Sequence, residues 1–329
     1  MIEPEVPSRE GSKSFPLALV TLCIGLVAIA FAPIFIRFSE QELSAPATVF
    51  NRFAIFSLVF GTGRILRQQV TPFLNRSIAQ PTQDREPPAP ISTKEWMLLG
   101  SVGCISIFSM GLWAFSLEYT SVAKSMLLNN LTPIFTTLGG WIFLKQRFDR
   151  RFLAGMVIAL AGAIAMGVED LNGVDGFLIG DFLALLSAVF LGSYLLVVEQ
   201  LRNRFDATTI LLWRGLVGSG VLLPVLLLTH QQILAQTQTT WLAALALGII
   251  CEGFGQRLLA DSMDVLSASF ISLLLLLEPI LCAILAWVIF KEQISASTWV
   301  GFAVILSGIY LANSSKASVH LTLDPSQSL

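Results

Sequence analysis

A stretch of about twenty apolar residues keeps returning along this chain, and no other feature restricts its fold as much. A helix needs roughly 20 such residues to cross the hydrocarbon core of a bilayer. Runs close to that length occupy residues 15–36, 47–66, 96–116, 122–144, 152–168, 177–198, 208–228, 241–260, 266–290 and 298–312. They predict an all-α polytopic membrane protein with ten transmembrane helices. Composition agrees: 13% of the residues are charged and 54% are hydrophobic, whereas a soluble domain carries about 25% charged residues on its wetted surface. Most of this surface must therefore meet something other than water, the lipid bilayer above all. The net charge of -2 gives no sign of a nucleic-acid partner.

Nearly all connections between the runs are short. Residues 67–95 are the exception, a polar stretch containing Pro81, Pro87 and Pro88 that reads as a flexible cytosolic loop. Residues 1–14 and 314–329 read as cytosolic tails, the second Ser-rich and disordered. Met1-Ile2-Glu3-Pro4-Glu5 is unlike the basic start of a signal peptide, so the first run reads as a retained helix. With the N-terminus inside, the cytosol receives Arg9, Lys13, Arg64, Arg67, Arg76, Arg85, Lys94, Lys145, Arg147, Arg150, Arg151, Arg202, Arg204 and Lys316. The outside receives Arg37 and Lys291. That bias follows the positive-inside rule and predicts both termini cytoplasmic. Cys23, Cys104, Cys251 and Cys282 lie inside apolar runs without CxxC spacing, so they read as buried thiols rather than a metal or redox site.

The chain also repeats itself. A constant offset of 146 residues aligns Ser121 with Ser267, Leu131 with Leu277, Pro133 with Pro279, Trp141 with Trp287 and Lys145 with Lys291. It continues into Gly155 with Gly301 and Gly162 with Gly308. The front halves align less well, but Asn51-Arg52 and Trp213-Arg214 hold equivalent places in the second helix of each unit. The units span residues 15–168 and 177–313. Five helices is an odd number, so consecutive units sit in opposite orientations. Inverted repeats of this kind belong to alternating-access carriers, which hold substrate between the halves.

The doubled pattern Ser-x-(Ala/Ser) … Leu-x-Pro-Ile … Trp-x-x-(Phe/Leu)-Lys-x … Gly … Gly resembles the EamA-type repeat of the drug/metabolite transporter superfamily. Residues 117–167 and 263–312 carry the resemblance best. Two positions depart from it: Gln146 stands where the family places an acid, which the second copy keeps as Glu292, and Lys124 replaces a small apolar residue. The resemblance implies an inner-membrane exporter or facilitator of amino acids or related metabolites, with no cofactor. It also implies a central cavity lined by the first, third, fourth, sixth, eighth and ninth helices. The fifth and tenth would pack at the back.

Ionisable residues at membrane depth are costly unless paired or wetted, which makes each a candidate for substrate contact or coupling. Glu278 is the deepest, and Pro279 beside it frees a carbonyl one turn back. It is the candidate for contact with a substrate amine or for proton coupling. Asn129 and Asn130 lie within a turn of Pro133 and offer uncharged hydrogen bonds to the same cavity, or pack between helices. Glu252 is a second buried carboxylate, and Arg257 near it reads as a snorkelling end residue. Lys124 either attracts an anionic group or pairs with Glu118. Tyr194 and Trp113 either line the pathway or pack. Arg52 and Arg214 match in depth, which suggests a shared structural task such as binding a helix C-terminus or a lipid phosphate. Gly155, Ala159, Ala163 and Gly167 form a small-residue stripe for close helix packing, shortened to Gly308 and Ala312 in the last helix.

No HExxH pair, P-loop or GxSxG elbow occurs, which argues against a metalloprotease, an ATPase or a serine hydrolase. A channel or scaffold is disfavoured by the repeat and the buried carboxylates. Within the carriers, a sugar or nucleoside cargo is the alternative to amino acids.

Overall fold

The computed structural model describes residues 14–75, 91–120, 122–168, 178–291 and 295–318. Every element among them is helical. In chain order they are α1 (Phe15–Ala30), α2 (Ala32–Ser39), α3 (Ala45–Asn75), α4 (Thr93–Tyr119), α5 (Val122–Asn129), α6 (Thr132–Phe143) and α7 (Arg150–Val168). Then come α8 (Leu178–Arg202), α9 (Ala207–Leu228), α10 (Gln238–Ala246), a π-helical segment (Leu247–Gln256), α11 (Arg257–Ser262), α12 (Ala268–Leu274), α13 (Leu277–Phe290) and α14 (Ala296–Asn313). Each apolar run of the sequence is occupied by helix.

Seven stretches among the described residues are long and apolar enough to cross a membrane: Phe15–Ser39, Ala45–Leu66, Thr93–Leu117, Ile179–Arg202, Ala207–Leu228, Gln238–Ser262 and Ala268–Ile289. Thr298–Asn313 is a shorter apolar helix. The run at 122–144 is divided into α5 and α6, and α7 opens on the charged pair Arg150-Arg151. The outer surface is apolar: Leu58, Phe143, Val157, Leu228 and Tyr310 all stand exposed. An apolar surface this extensive is the mark of a membrane-facing protein.

Three helices break at proline. A proline has no N–H to give and its ring crowds the carbonyl four residues back. Pro33 opens α2 after the break at Phe31, and Pro133 opens α6 after Asn130-Leu131. Pro279 lies in the first turn of α13, after Leu275-Leu276. The carbonyl that Pro133 would have bonded, that of Asn129, instead accepts the Thr132 hydroxyl at 2.6 Å. The two later breaks fall at positions matched by the repeat offset. So do the left-handed residues Lys145 (φ 53°) and Lys291 (φ 59°) that end α6 and α13.

Small residues bring α7 and α14 together backbone to backbone. A Cβ on Gly155 would stand 2.5 Å from the Gly308 carbonyl oxygen, and one on Gly162 would stand 3.0 Å from that of Gly301. Early residues of one helix thus meet late residues of the other, so the pair is antiparallel. The contact runs through Gly155 and Ala159 of the stripe read from the sequence, and through Gly162 beside it.

The loops differ from expectation at two places. Helix α3 continues past the apolar run to Asn75, and α4 begins at Thr93 behind a capping box in which Ser92 and Glu95 bond each other's backbone N–H. That reciprocal cap starts a helix inside what composition alone reads as loop. The tail is also ordered at its start. Ser267, the cap of α12, donates its hydroxyl to the Ala317 carbonyl at 2.7 Å and its N–H to that of Ser318 at 3.1 Å. Residues 76–90, 169–177 and 319–329, which carry most of the expected loop, the acidic link between the units and the end of the tail, lie outside the described residues. Near the opposite end, Glu42 ties the α2–α3 loop to the α9–α10 loop. Its pKa is held at about 2: partial desolvation pushes it up, but bonds from Thr237, Thr240 and Gln236 outweigh that.

Candidate functional site

Four of the residues singled out in the sequence converge on one buried cluster. Glu252 sits in the π-helical segment, fully enclosed. Arg52 of α3 donates its Nε to one carboxylate oxygen at 2.8 Å, and Arg214 of α9 donates Nη1 to the other at 2.8 Å. The task the two arginines share is to clamp one carboxylate. Taking such ions out of water costs several kcal/mol each, and good geometry with further hydrogen bonds must offset it. Arg214 has both. Its Nε donates to Ser106 of α4 at 2.8 Å, and its guanidinium lies between the rings of Phe53 and Tyr194, at 5.1 and 4.8 Å from their centroids. Tyr194 of α8 is thereby placed in the cluster, as a cation–π partner.

The π-helical geometry matters here. Segments of this type are rare and concentrate at functional sites. Gly248, Gly253 and Gly255 let Ile55, Phe60 and Ile29 close onto its backbone, at distances of 2.2 to 2.7 Å from where a Cβ would be. Glu252 is thus carried into the gap between α1, α3 and α9.

Glu278 lies within electrostatic reach of Arg52, just inside the break that opens α13. Cys251 and Cys282, which share its surroundings, donate to the Ala28 and Ala30 carbonyls beside the α1–α2 break. The π-helical segment and α13 therefore both meet the α1–α2 break. With both glutamates ionised, two arginines and two carboxylates balance.

The remaining candidates sit apart from this cluster. Asn129, at the α5–α6 break, donates to Ser187 Oγ at 3.0 Å, and Ser187 donates to the Ser109 carbonyl at 2.8 Å. Ser109 is one turn beyond Ser106, so a line of small polar groups runs from the break toward Arg214. Asn130 follows at the same break, half-buried. Lys124 pairs with Asp181 of α8 at 2.5 Å, and Thr120 bonds the same carboxylate. The Glu118 side chain is outside the described residues. Arg257 is half-exposed, 3.7 Å from Asp261. Among the described residues no group of three or more His, Cys, Asp or Glu side chains could hold a metal.

Sequence reasoning missed several participants. Ser106, Phe53 and Gln256 reach the arginines. Ser106 was within reach of a signal, since the offset of 146 maps it onto Glu252. Glu199 is a further fully buried carboxylate, to which Gln146 donates from Nε2 at 3.1 Å to each oxygen. It lies just past the end of an apolar run, where composition does not separate a buried acid from a solvated one.

An all-helical chain with membrane-length apolar helices, broken where they enclose a buried charge cluster, defines a polytopic membrane transporter. The model of the EamA-like transporter family matches residues 16–168 and again 178–314, and the chain belongs to that family, an EamA-type drug/metabolite transporter. It is 26% identical over 228 residues to the uncharacterized transporter YxxF of Bacillus subtilis (strain 168), covering 67% of this chain and 72% of that protein. An uncharacterized transporter of Archaeoglobus fulgidus is 22% identical over 297 residues, with 89% and 96% covered. The fold matches a solved crystal structure at a TM-score of 0.70 and 18% identity, covering 90% of this chain and 98% of the other.

Proposed function

We propose that this transporter moves small metabolites, amino acids foremost, across the cell inner membrane by alternating access, as an exporter or facilitator rather than an enzyme. The observation that carries the reading is the buried cluster of Arg52, Arg214, Glu252 and Glu278. One matched unit supplies Arg52 and the other supplies the remaining three. A charge-balanced site between two halves suits a zwitterion, whose ammonium and carboxylate each find a counter-charge. A sugar would leave those charges unused.

Ten crossings in two inverted five-helix units, with both termini cytoplasmic, is the architecture this reading needs. Its support is the antiparallel pairing of Gly155 with Gly308 and Gly162 with Gly301. Under the repeat offset these two contacts exchange into each other, as a two-fold axis demands. An axis relating antiparallel helices lies across them, in the membrane plane. The matched helix breaks at Pro133 and Pro279 would be the flexible points, and Glu278 the group that takes the coupled proton.

Counterflow in proteoliposomes tests the cargo. Liposomes preloaded with amino acids, sugars or nucleosides are assayed for exchange with labelled compound. Exchange of amino acids is expected, and exchange of another class with no amino acid would sink the reading. Collapse of concentrative uptake on adding a protonophore is expected if Glu278 couples protons.

A further inference from the structure

The two arginines of the cluster are equivalent in the repeat but are not used alike. Arg214 is the more heavily engaged: Nε goes to Ser106, Nη1 to Glu252 and to Gln256 at 3.4 Å, and its guanidinium lies over the rings of Phe53 and Tyr194. Its side chain is 3% exposed. Arg52 spends only Nε, on Glu252. Among the described residues its Nη nitrogens have no hydrogen-bond partner, and 10% of its side-chain surface stays accessible. The carboxylate of Glu278, within electrostatic reach of Arg52, likewise accepts no hydrogen bond among the described residues.

An unfilled guanidinium edge offers two parallel N–H donors, the fork that matches a carboxylate in bidentate fashion. Glu252 does not fill it: its oxygens take Nε of Arg52 and Nη1 of Arg214. The bond to Nε instead orients the guanidinium plane of Arg52 and so aims the fork. We propose that Arg52 is the carboxylate-binding subsite of this transporter, with Arg214 and Glu252 acting as its positioning residues. The cargo then carries a carboxylate. A compound of the same shape with a carboxamide or alcohol in its place leaves the fork unpaired and is rejected. The cluster also restricts charge. The carboxylate of the cargo competes with Glu278 for Arg52. It therefore enters either with an ammonium of its own to meet Glu278 or together with a proton on Glu278. A dianion is excluded.

The inference rests on the transporter reading and deepens it, but it does not require that the cargo be an amino acid. The counterflow panel is extended with 2-oxo acids, and for every carboxylate that exchanges its carboxamide is assayed beside it. Wild-type protein is expected to exchange only carboxylates, with the carboxamide at least about tenfold slower, the factor that one lost charge-assisted hydrogen bond supplies. Arg52→Lys keeps a cation against Glu252 but removes the fork. It is expected to lose the preference, with carboxylate and carboxamide within about threefold of each other, a residual difference of well under 1 kcal/mol. Exchange of 2-oxo acids without amino acids would remove the amino-acid reading and sustain this one. Exchange of a sugar, a nucleoside or the carboxamide at the carboxylate rate overturns it, as does absence of exchange for every carboxylate. So does an Arg52→Lys protein that retains wild-type rate and preference. Should that variant fail to fold, the wild-type carboxylate-to-carboxamide ratio decides alone.

Discussion

At the scale of single residues, the two deep glutamates stand in opposite settings. Glu252 is enclosed and bonded at both oxygens. Removing its charge takes the counter-ion from two buried arginine side chains at once. Breaking a buried pair of this kind costs about 3–5 kcal/mol. Glu252→Gln is therefore expected to lower the thermal unfolding temperature sharply in detergent, and an unchanged melting curve would show the clamp to be dispensable. Glu278 has no such bonds, and its amide keeps the size of the side chain. Glu278→Gln is expected to fold normally yet lose transport or its pH dependence. Wild-type uptake with a wild-type pH profile would remove Glu278 from the mechanism. The sequence marked both residues as ionisable groups at depth. It did not separate them, because what separates them is which donors surround each oxygen.

At the scale of elements, helix breaks and glycine contacts form two distinct populations. The prolines at 33, 133 and 279 sit where helices interrupt, and they are legible because a missing N–H acts within one turn of its own chain. The glycine pairs of α7 and α14 are legible as small residues at helical spacing, but their partner is not. A methyl on Gly308 would stand 2.4 Å from the backbone nitrogen of Ala159, whereas one on Gly111 would meet nothing within 4 Å. Gly308→Ala is accordingly expected to destabilise the fold by about 1–3 kcal/mol, the usual cost of overpacking a tight contact. Gly111→Ala is expected to be neutral or slightly stabilising, since alanine is the better helix former. Thermal melting of both variants checks the pair, and equal losses would mean that backbone approach is not what holds α7 to α14. The π-helical segment had no signal in composition. Its hydrogen-bond pattern follows from three glycines that let neighbouring side chains press on one backbone.

At the scale of the whole molecule, orientation in the bilayer is the open physical question. It is set by the distribution of lysine and arginine between the two ends. In a chain whose four cysteines have been replaced, a cysteine introduced at Gln83 is expected to react with a membrane-impermeant maleimide only after cells are permeabilised. A cysteine at Glu40 is expected to react in intact cells. Labelling of position 83 in intact cells would reverse the assignment and, with it, the sides to which the two units open. The proposed inverted topology expects the matched left-handed residues Lys145 and Lys291 on opposite faces of the membrane.

The sequence by itself determined where the helices lie, that they come in two related sets, and that Glu252 and Glu278 lie at depth, though not Glu199. Hydrophobic length, proline chemistry and internal identity are all local or additive along the chain, so they survive without a structure. Only the tertiary structure decided which charges meet. Arg52 and Glu252 are 200 residues apart, and Arg214 and Glu252 are 38 apart. Their meeting depends on how far each helix is rotated about its axis and which neighbour it packs against. A change of one residue in that rotation turns a side chain by about 100°, since a helical turn takes about 3.6 residues. That is why Arg52 reads from the sequence as one of a symmetric structural pair. In the fold it is the arginine whose donors remain unspent.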